Sequence, residues 1–184
     1  MRKLFALGFG VALIGSASAA VAGEHSVGAG YGSIGDGDFA WNSPVISYGY
    51  KISDNLAVDV TAQGFGADDG DSFSNAAGVG SYNLELDLAL TFRVKGGITT
   101  QQGHFLYASA GYSYAEGSGD IVLLPVGGGA GLNFSENDSI DGAVAGVGGD
   151  FKISDRWGFE ASYQRGLGDL DGGNLWTGTL RYRF

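Results

Sequence analysis

The sequence predicts an all-β protein, an eight-stranded antiparallel up-and-down transmembrane β-barrel preceded by a cleavable signal peptide. Long stretches alternate apolar and polar residues with a period of two, which is the period of a strand and not of a helix. The chain starts with a short apolar leader and ends with an aromatic-rich strand, Leu175 to Phe184. Its 184 residues include 35 glycines, 2 prolines and 12% aromatics, which favours strands joined by many turns.

Residues 1–22 are predicted to be the signal peptide. Two positive charges are followed by an apolar run that is too short to span a bilayer, and then by small residues typical of a cleavage site. We expect cleavage after Ala22, with Ala19 as the alternative. The barrel domain then comprises residues 23–184, and its membrane contact must come from strands.

Alternating segments predict the eight strands in order. They lie at about 26–32, 45–52, 56–63, 82–95, 106–114, 143–153, 157–163 and 175–184. The motif Tyr50 to Asp54 recurs at Phe151 to Asp155, which predicts two equivalent short hairpins. Residues 67–80 are predicted to form a long polar loop. Residues 116–138 fit either a long loop or strand extensions above the membrane; a ten-stranded barrel would need two more strands there.

Short turns are therefore predicted to alternate with longer, acidic connections. Outer-membrane barrels have short periplasmic turns and longer extracellular loops, so the acidic connections should face outward. The predicted surface-loop acids are Asp36, Asp38, Asp68, Asp69, Asp71, Asp169 and Asp171. Their spacing is not that of an EF-hand loop, so we expect solvated carboxylates and no metal or other cofactor.

The polar face of the strands is predicted to point into the barrel. An eight-stranded barrel has an interior just wide enough for side chains, and charges buried there must pair. The predicted ion-pair network comprises Lys51, Asp59, Glu85, Asp87, Arg93, Lys152, Glu160, Arg181 and Arg183. The alternative is a narrow path for water or ions between these side chains.

The C-terminal sequence Tyr182-Arg183-Phe184, with Leu180 on the same face, resembles the terminal signature of bacterial outer-membrane β-barrels. The strand pattern as a whole is similar to the small barrel family typified by the OmpA transmembrane domain, OmpX and the opacity proteins. The resemblance implies a Gram-negative outer-membrane location among outer-membrane lipid and lipopolysaccharide. It also implies that Leu180, Tyr182 and Phe184 form an assembly signal for the barrel-assembly machinery, with periplasmic chaperones as partners in biogenesis. It implies a structural or adhesin-like role, without identifying an extracellular partner.

Charge, composition and the positions of the two histidines argue against several other functions. The net charge of −10 excludes electrostatic binding of nucleic acid, and the absence of cysteine excludes disulfides and thiolate sites. The only histidines, His25 and His104, are expected at the periplasmic end, and a serine next to a histidine does not make a triad. We therefore predict no enzyme. A narrow porin-like pore and a secreted soluble ligand-binding barrel remain alternatives, because alternation alone does not show which face points inward.

Overall fold

The chain forms one closed antiparallel barrel. The computed structural model describes residues 23–35, 40–75, 78–125, 132–170 and 173–184. Each strand pairs with the next, and the first pairs with the last. The strands are β1 (Glu24–Gly35), β2 (Ala40–Ser53), β3 (Leu56–Asn75), β4 (Gly78–Thr99), β5 (Phe105–Pro125), β6 (Leu132–Lys152), β7 (Trp157–Leu167) and β8 (Asn174–Arg183), with a short 3₁₀ helix at Gly168–Leu170. The predicted eight-stranded fold is confirmed, and the ten-stranded alternative is wrong.

The two ends of the barrel differ in their connections. The turn end holds both ends of the barrel domain and the short connections between β2 and β3, β4 and β5, and β6 and β7. The loop end holds the other four connections. The predicted signal peptide and the loop acids Asp36, Asp38 and Asp171 lie outside the described residues. None of the described residues forms a helix long and apolar enough to cross a membrane.

Large apolar side chains cover the outside of the barrel. Ile46, Phe92 and Val147 keep 50–59% of their surface exposed, whereas Asp59 and Arg93 keep at most 2%. This is the reverse of a soluble barrel, because the charged groups are enclosed and the apolar groups are not. The outer surface is therefore suited to lipid.

Four strands are much longer than a membrane crossing requires. β3 to β6 have 20–22 residues, whereas a transmembrane strand needs about 9–11. Their loop-end parts continue to pair with one another to the last residues of each strand. We call residues 67–75, 78–87, 116–125 and 132–142 the strand extension. It continues the sheet by about 30 Å along the strands beyond the rest of the barrel.

The predicted loop at 67–80 is wrong, because Asp68, Asp69 and Asp71 lie within β3. For residues 116–125 and 132–138 the strand-extension alternative is the correct one, and residues 126–131 lie outside the described residues. Strands beyond the membrane meet water on their faces, so they carry little of the apolar alternation on which the sequence prediction depended. Asp169 lies in the short 3₁₀ helix and not in a long loop.

Two neighbouring bulges separate the extension from the membrane-spanning part. The register shifts in β3 between Gly64 and Ala67, and in β4 between Leu86 and Leu88. Leu86 and Ala89 are three residues apart, yet both are buried, at 5% and 1% exposed. An unbroken strand would place them on opposite faces. The bulge at Asp87 therefore reverses the orientation of the β4 side chains beyond it.

We expect Gly64→Ala to destabilise the folded barrel by about 1–3 kcal/mol. Gly64 has a φ of +111°, and a Cβ would lie 3.1 Å from the backbone of Leu88. The measurement is the midpoint of urea unfolding in lipid vesicles. Gly96→Ala is the matched control, since a Cβ at Gly96 meets nothing within 4 Å. Equal midpoints for the two variants would contradict a strained bulge at Gly64.

Candidate functional site

A buried ion-pair cluster lies in the barrel interior, beside a cavity of about 180 Å³ at the turn end. Arg93 and Asp59 face each other across β3 and β4 and form a two-pronged pair, with Nε–Oδ1 at 2.7 Å and Nη2–Oδ2 at 2.6 Å. Lys95 contacts both Asp59 and Glu160, with its Nζ 2.7 Å from Glu160 Oε1. Arg181 pairs with Glu160 from the other side. We call Asp59, Arg93, Lys95, Glu160 and Arg181 the ion-pair cluster.

Glu160 is the shared acceptor of this cluster. Its Oε1 accepts hydrogen bonds from Lys95 Nζ at 2.7 Å, from Tyr107 Oη at 2.7 Å and from Arg93 Nη2 at 3.3 Å. The Lys95 ammonium also lies 4.7 Å from the centre of the Tyr107 ring, which is cation–π geometry. Three cations therefore share two carboxylates, and Glu160 contacts all three.

Glycine residues make room for the cluster, and hydroxyl side chains accept hydrogen bonds from its two guanidinium groups. A Cβ at Gly49 would overlap Arg181 Nη2, so the guanidinium lies against bare backbone. Arg181 Nη2 donates to Ser26 Oγ at 2.8 Å, and Arg93 Nη1 donates to Ser162 Oγ at 2.9 Å. Buried charges are tolerated when their remaining donors are satisfied in this way.

Charged residues nearer the turn end form separate pairs. Arg183 Nη2 lies 2.6 Å from Asp150 Oδ1, and Arg183 Nε lies 3.3 Å from Glu24 Oε1. Lys51 pairs with Asp54, and Lys152 pairs with Asp155, each three residues along the chain. The hydrogen bond from Lys152 holds the pKa of the exposed Asp155 carboxyl below its usual value.

The nine residues predicted for the interior network thus separate into three groups. Asp59, Arg93, Glu160 and Arg181 meet in the cluster, and Arg183 lies beside it. Lys51 and Lys152 remain in the half-exposed pairs of the two repeated hairpin motifs. The prediction for Glu85 and Asp87 is wrong, because among the described residues neither pairs with a cation of the interior. The bulge at Asp87 is the physical reason.

Sequence reasoning missed three contributors to the interior. Lys95 lies two residues after Arg93 and so on the same face, a signal that was available in the alternation. Tyr107 and Asp150 gave no comparable signal. The hydroxyl of Tyr107 donates to Glu160, 53 residues away, and Asp150 meets Arg183 across Gly158 of the intervening strand β7.

The three residues of the predicted assembly signal lie on the outer face of β8. Phe184 is 63% exposed and Leu180 is 48% exposed, while Tyr182 packs edge-on against Trp157 at 5.2 Å. Phe184 also joins β8 to β1 through its backbone, with its N donating to His25 O at 2.9 Å and its O accepting from His25 N at 3.2 Å. The last residue of the chain therefore takes part in barrel closure.

Both histidines have structural contacts at the turn end. His25 Nδ1 lies 2.7 Å from Tyr48 Oη, and its ring stacks on Phe184 at 5.8 Å. His104 Nδ1 accepts a hydrogen bond from Lys152 N at 3.1 Å. Within the described ranges, no group of three or more His, Asp or Glu residues is arranged to hold a metal ion.

A second feature lies at the loop end, where a cavity of about 560 Å³ opens between the barrel wall and the strand extension. Its wall is mainly apolar, and Leu84 and Leu86 contribute to it. The bulge at Asp87 turns Leu86 inward, and Leu84 lies two residues earlier on the same face of β4.

An enclosed polar interior, an apolar outer belt and strands closed without an edge define a transmembrane β-barrel. The chain matches the family described as the outer membrane protein beta-barrel domain over residues 6–184, and it belongs to that family. It is an outer-membrane protein of Gram-negative type, so the predicted location is confirmed and the secreted soluble barrel is wrong.

Solved structures show the same fold. Ail, the attachment invasion locus protein of Yersinia pestis, is 20% identical with a TM-score of 0.50, covering 88% of this chain and 99% of that one. The outer membrane protein OprG of Pseudomonas aeruginosa is 12% identical with a TM-score of 0.53, covering 89% and 97%. A comparison with curated protein sequences gives no match.

Proposed function

We propose that this protein is a non-enzymatic surface-interaction protein whose strand extension is its contact surface. In outer-membrane barrels both termini and the short turns are periplasmic, which places the loop end outside the cell. The extension then stands above the membrane on a rigid barrel. The observation that carries the proposal is that this four-stranded sheet continues well past the membrane-spanning part.

Unpaired strand edges support the proposal. β2 pairs with β3 only as far as Gln63, and β7 pairs with β6 only from Ala143 toward the turn end. In the described ranges, the extension parts of β3 and β6 therefore each have one edge without a neighbouring strand. Such an edge offers backbone donors and acceptors to an extended segment of another protein.

The charge of the extension favours a basic partner. It contains no lysine or arginine, and its acids are Asp68, Asp69, Asp71, Glu85, Asp87, Glu116, Asp120, Glu136, Asp138 and Asp141. Like charges across an interface are costly, so polyanions such as nucleic acid or a sulfated polysaccharide are disfavoured.

A binding experiment tests this proposal. The folded protein in nanodiscs should bind a surface coated with polylysine and not one coated with heparin, with binding that weakens as salt rises. Asp71→Asn with Asp120→Asn should weaken binding severalfold. Asp54→Asn with Asp155→Asn, which removes the same charge at the turn end, should not. Equal losses in both double variants would contradict a contact surface on the extension.

Orientation is tested by cysteine labelling, for which the cysteine-free chain is well suited. Asp71→Cys should react with a membrane-impermeant maleimide on intact cells. Asp155→Cys should react only after the outer membrane is permeabilised. The opposite pattern would place the extension in the periplasm.

A narrow path for water or ions is the second candidate function. Within the part of the chain that the structure describes, four buried side-chain atoms have no hydrogen-bond partner, namely Ser47 Oγ, Gln63 Nε2, Gln164 Oε1 and Arg181 Nε. Enclosed water is typically held by such atoms. The ion-pair cluster and the neighbouring Gln164 oppose conduction, because Arg93, Lys95 and Gln164 are among the largest fully buried side chains of the described residues. We expect no discrete openings in planar bilayers, and reproducible openings would establish the pore instead.

A further inference from the structure

The loop-end cavity has the size and lining of a small-molecule site. Its volume of about 560 Å³ lies within the roughly 300–1,000 Å³ of typical ligand pockets. Most of its wall is apolar, and the main contributors are Ile34, Trp41, Leu84, Leu86, Leu170 and Leu175. An open apolar cavity at the surface of a protein is suited to an apolar ligand.

The bulges and the residues next to them give this cavity an apolar floor. Leu86, turned inward by the bulge at Asp87, and Leu175 are both 5% exposed. Further toward the turn end on three of the lining strands, Val45, Ala89 and Val144 are buried as well. These side chains lie between the cavity and the ion-pair cluster, at the level of the buried amide of Gln63, which is the register partner of Val45 and Ala89. The base of the site is therefore mainly apolar, with one buried amide beside it.

Only negative charge lines the cavity. Glu136 and Asp138 on β6 lie on the same strand face as the buried Val144. Their register partners on β5 are glycines, Gly119 and Gly117, so no β5 side chain occupies the space next to the two carboxylates. Among the described residues neither acid forms an ion pair, and the strand extension contains no cation. Glu85 and Glu116 also line the cavity, so a positively charged ligand would meet four acidic side chains.

Trp41 adds an aromatic surface to the same wall. Its Nε1 donates to Leu84 O at 3.4 Å, which joins the start of β2 to β4 and orients the indole ring at the cavity. Indole rings attract cations through their faces more strongly than other aromatic side chains.

We propose that this cavity binds a small apolar cation. Its apolar body packs against Leu86 and Leu175, and its positive charge lies near Glu136 and Asp138. An anion of the same shape would be repelled by these two carboxylates, and a neutral molecule would leave them unused.

The test uses tetraphenylphosphonium and tetraphenylborate, two ions of the same shape and opposite charge. Equilibrium dialysis against the full folded chain in nanodiscs, with empty nanodiscs as the blank, should show saturable binding of tetraphenylphosphonium only. Glu136→Gln with Asp138→Asn should weaken that binding about tenfold at physiological salt. Leu86→Trp should weaken it severalfold, because the larger side chain narrows the cavity at its floor.

The matched control is Asp120→Asn with Asp141→Asn. These two acids lie on the opposite face of the same β5–β6 pair, so the variant removes the same charge outside the cavity. Its affinity should stay within about twofold of the parent. Heat-modifiable migration verifies that each variant is folded. Equal weakening by the two double variants, equal binding of tetraphenylborate, or unchanged binding to folded Leu86→Trp would each overturn the proposal.

Discussion

Glu160→Gln is expected to lower the free energy of unfolding of the barrel by about 3–5 kcal/mol. Glu160 contacts Arg93, Lys95 and Arg181, so its neutralisation leaves three buried cations with Asp59 as the remaining carboxylate of the cluster. An uncompensated buried charge costs more than the lost attraction alone, because the cation has also lost its water. The measurement is urea unfolding in lipid vesicles, followed by heat-modifiable migration.

Asp155→Asn is the matched control for this substitution. This substitution also replaces an acid with its amide, but Asp155 is an exposed residue in the turn between β6 and β7. Its ion pair joins it to Lys152, only three residues earlier in the chain. Exposed pairs contribute little, so no measurable shift in the midpoint is expected. Adding Lys95→Met to Glu160→Gln should recover part of the loss by removing one of the unpaired cations. If Glu160→Gln leaves the unfolding midpoint unchanged and adding Lys95→Met raises nothing, the cluster does not stabilise the barrel.

Deletion of Phe184 is expected to abolish assembly into the outer membrane. It removes the two backbone hydrogen bonds to His25 that extend the β1–β8 pairing, together with the outward aromatic ring. Since an open strand edge is prohibitive in lipid, weakened closure affects the whole barrel. We also propose that this residue is part of the signal read by the barrel-assembly machinery. The readout is the folded fraction in the outer membrane of cells.

Two substitutions separate the backbone from the side chain. Phe184→Ala keeps the hydrogen bonds and removes the ring, so it should assemble poorly if the ring is the signal and normally if closure alone matters. Phe159→Ala removes a similarly exposed outward ring from β7 and should assemble normally. Arg181→Ala should reach the outer membrane but unfold at lower urea. Normal assembly after Phe184 deletion would refute both roles of the residue.

The fold was predictable because each membrane-spanning strand alternates apolar and polar residues in the sequence. Residues on β8 alternate between lipid and interior, so Trp176 and Leu180 are exposed while Thr177 and Arg181 are buried. The repeated motif at Lys51 and Lys152 predicted two equivalent turns, and each lysine pairs with the aspartate three residues later. Local periodicity determines these features, and no distant contact is needed to infer them.

Residues beyond the membrane were predicted poorly because water imposes no such alternation. The segment containing Asp68 and Asp71 has the composition of a loop, but pairing with β4 makes it a strand. Asp87 looked like an interior residue because it continued the pattern of Arg93. The bulge at Asp87 interrupts that alternation, and the periodicity of the sequence does not reveal where the bulge lies.

The sequence by itself determined the number of strands and the division of each membrane-spanning strand into an apolar and a polar face, and its resemblance to known barrels indicated an outer-membrane protein. The structure showed that the polar face points inward. Only the tertiary structure decided which charges meet, because Arg93 and Glu160 are 67 residues apart and become neighbours when the barrel closes. It also decided that paired bulges turn Leu86 inward and create the apolar cavity. The alternation of apolar and polar residues is visible within the sequence of each strand, whereas strand register, bulges and barrel closure depend on the neighbouring strands.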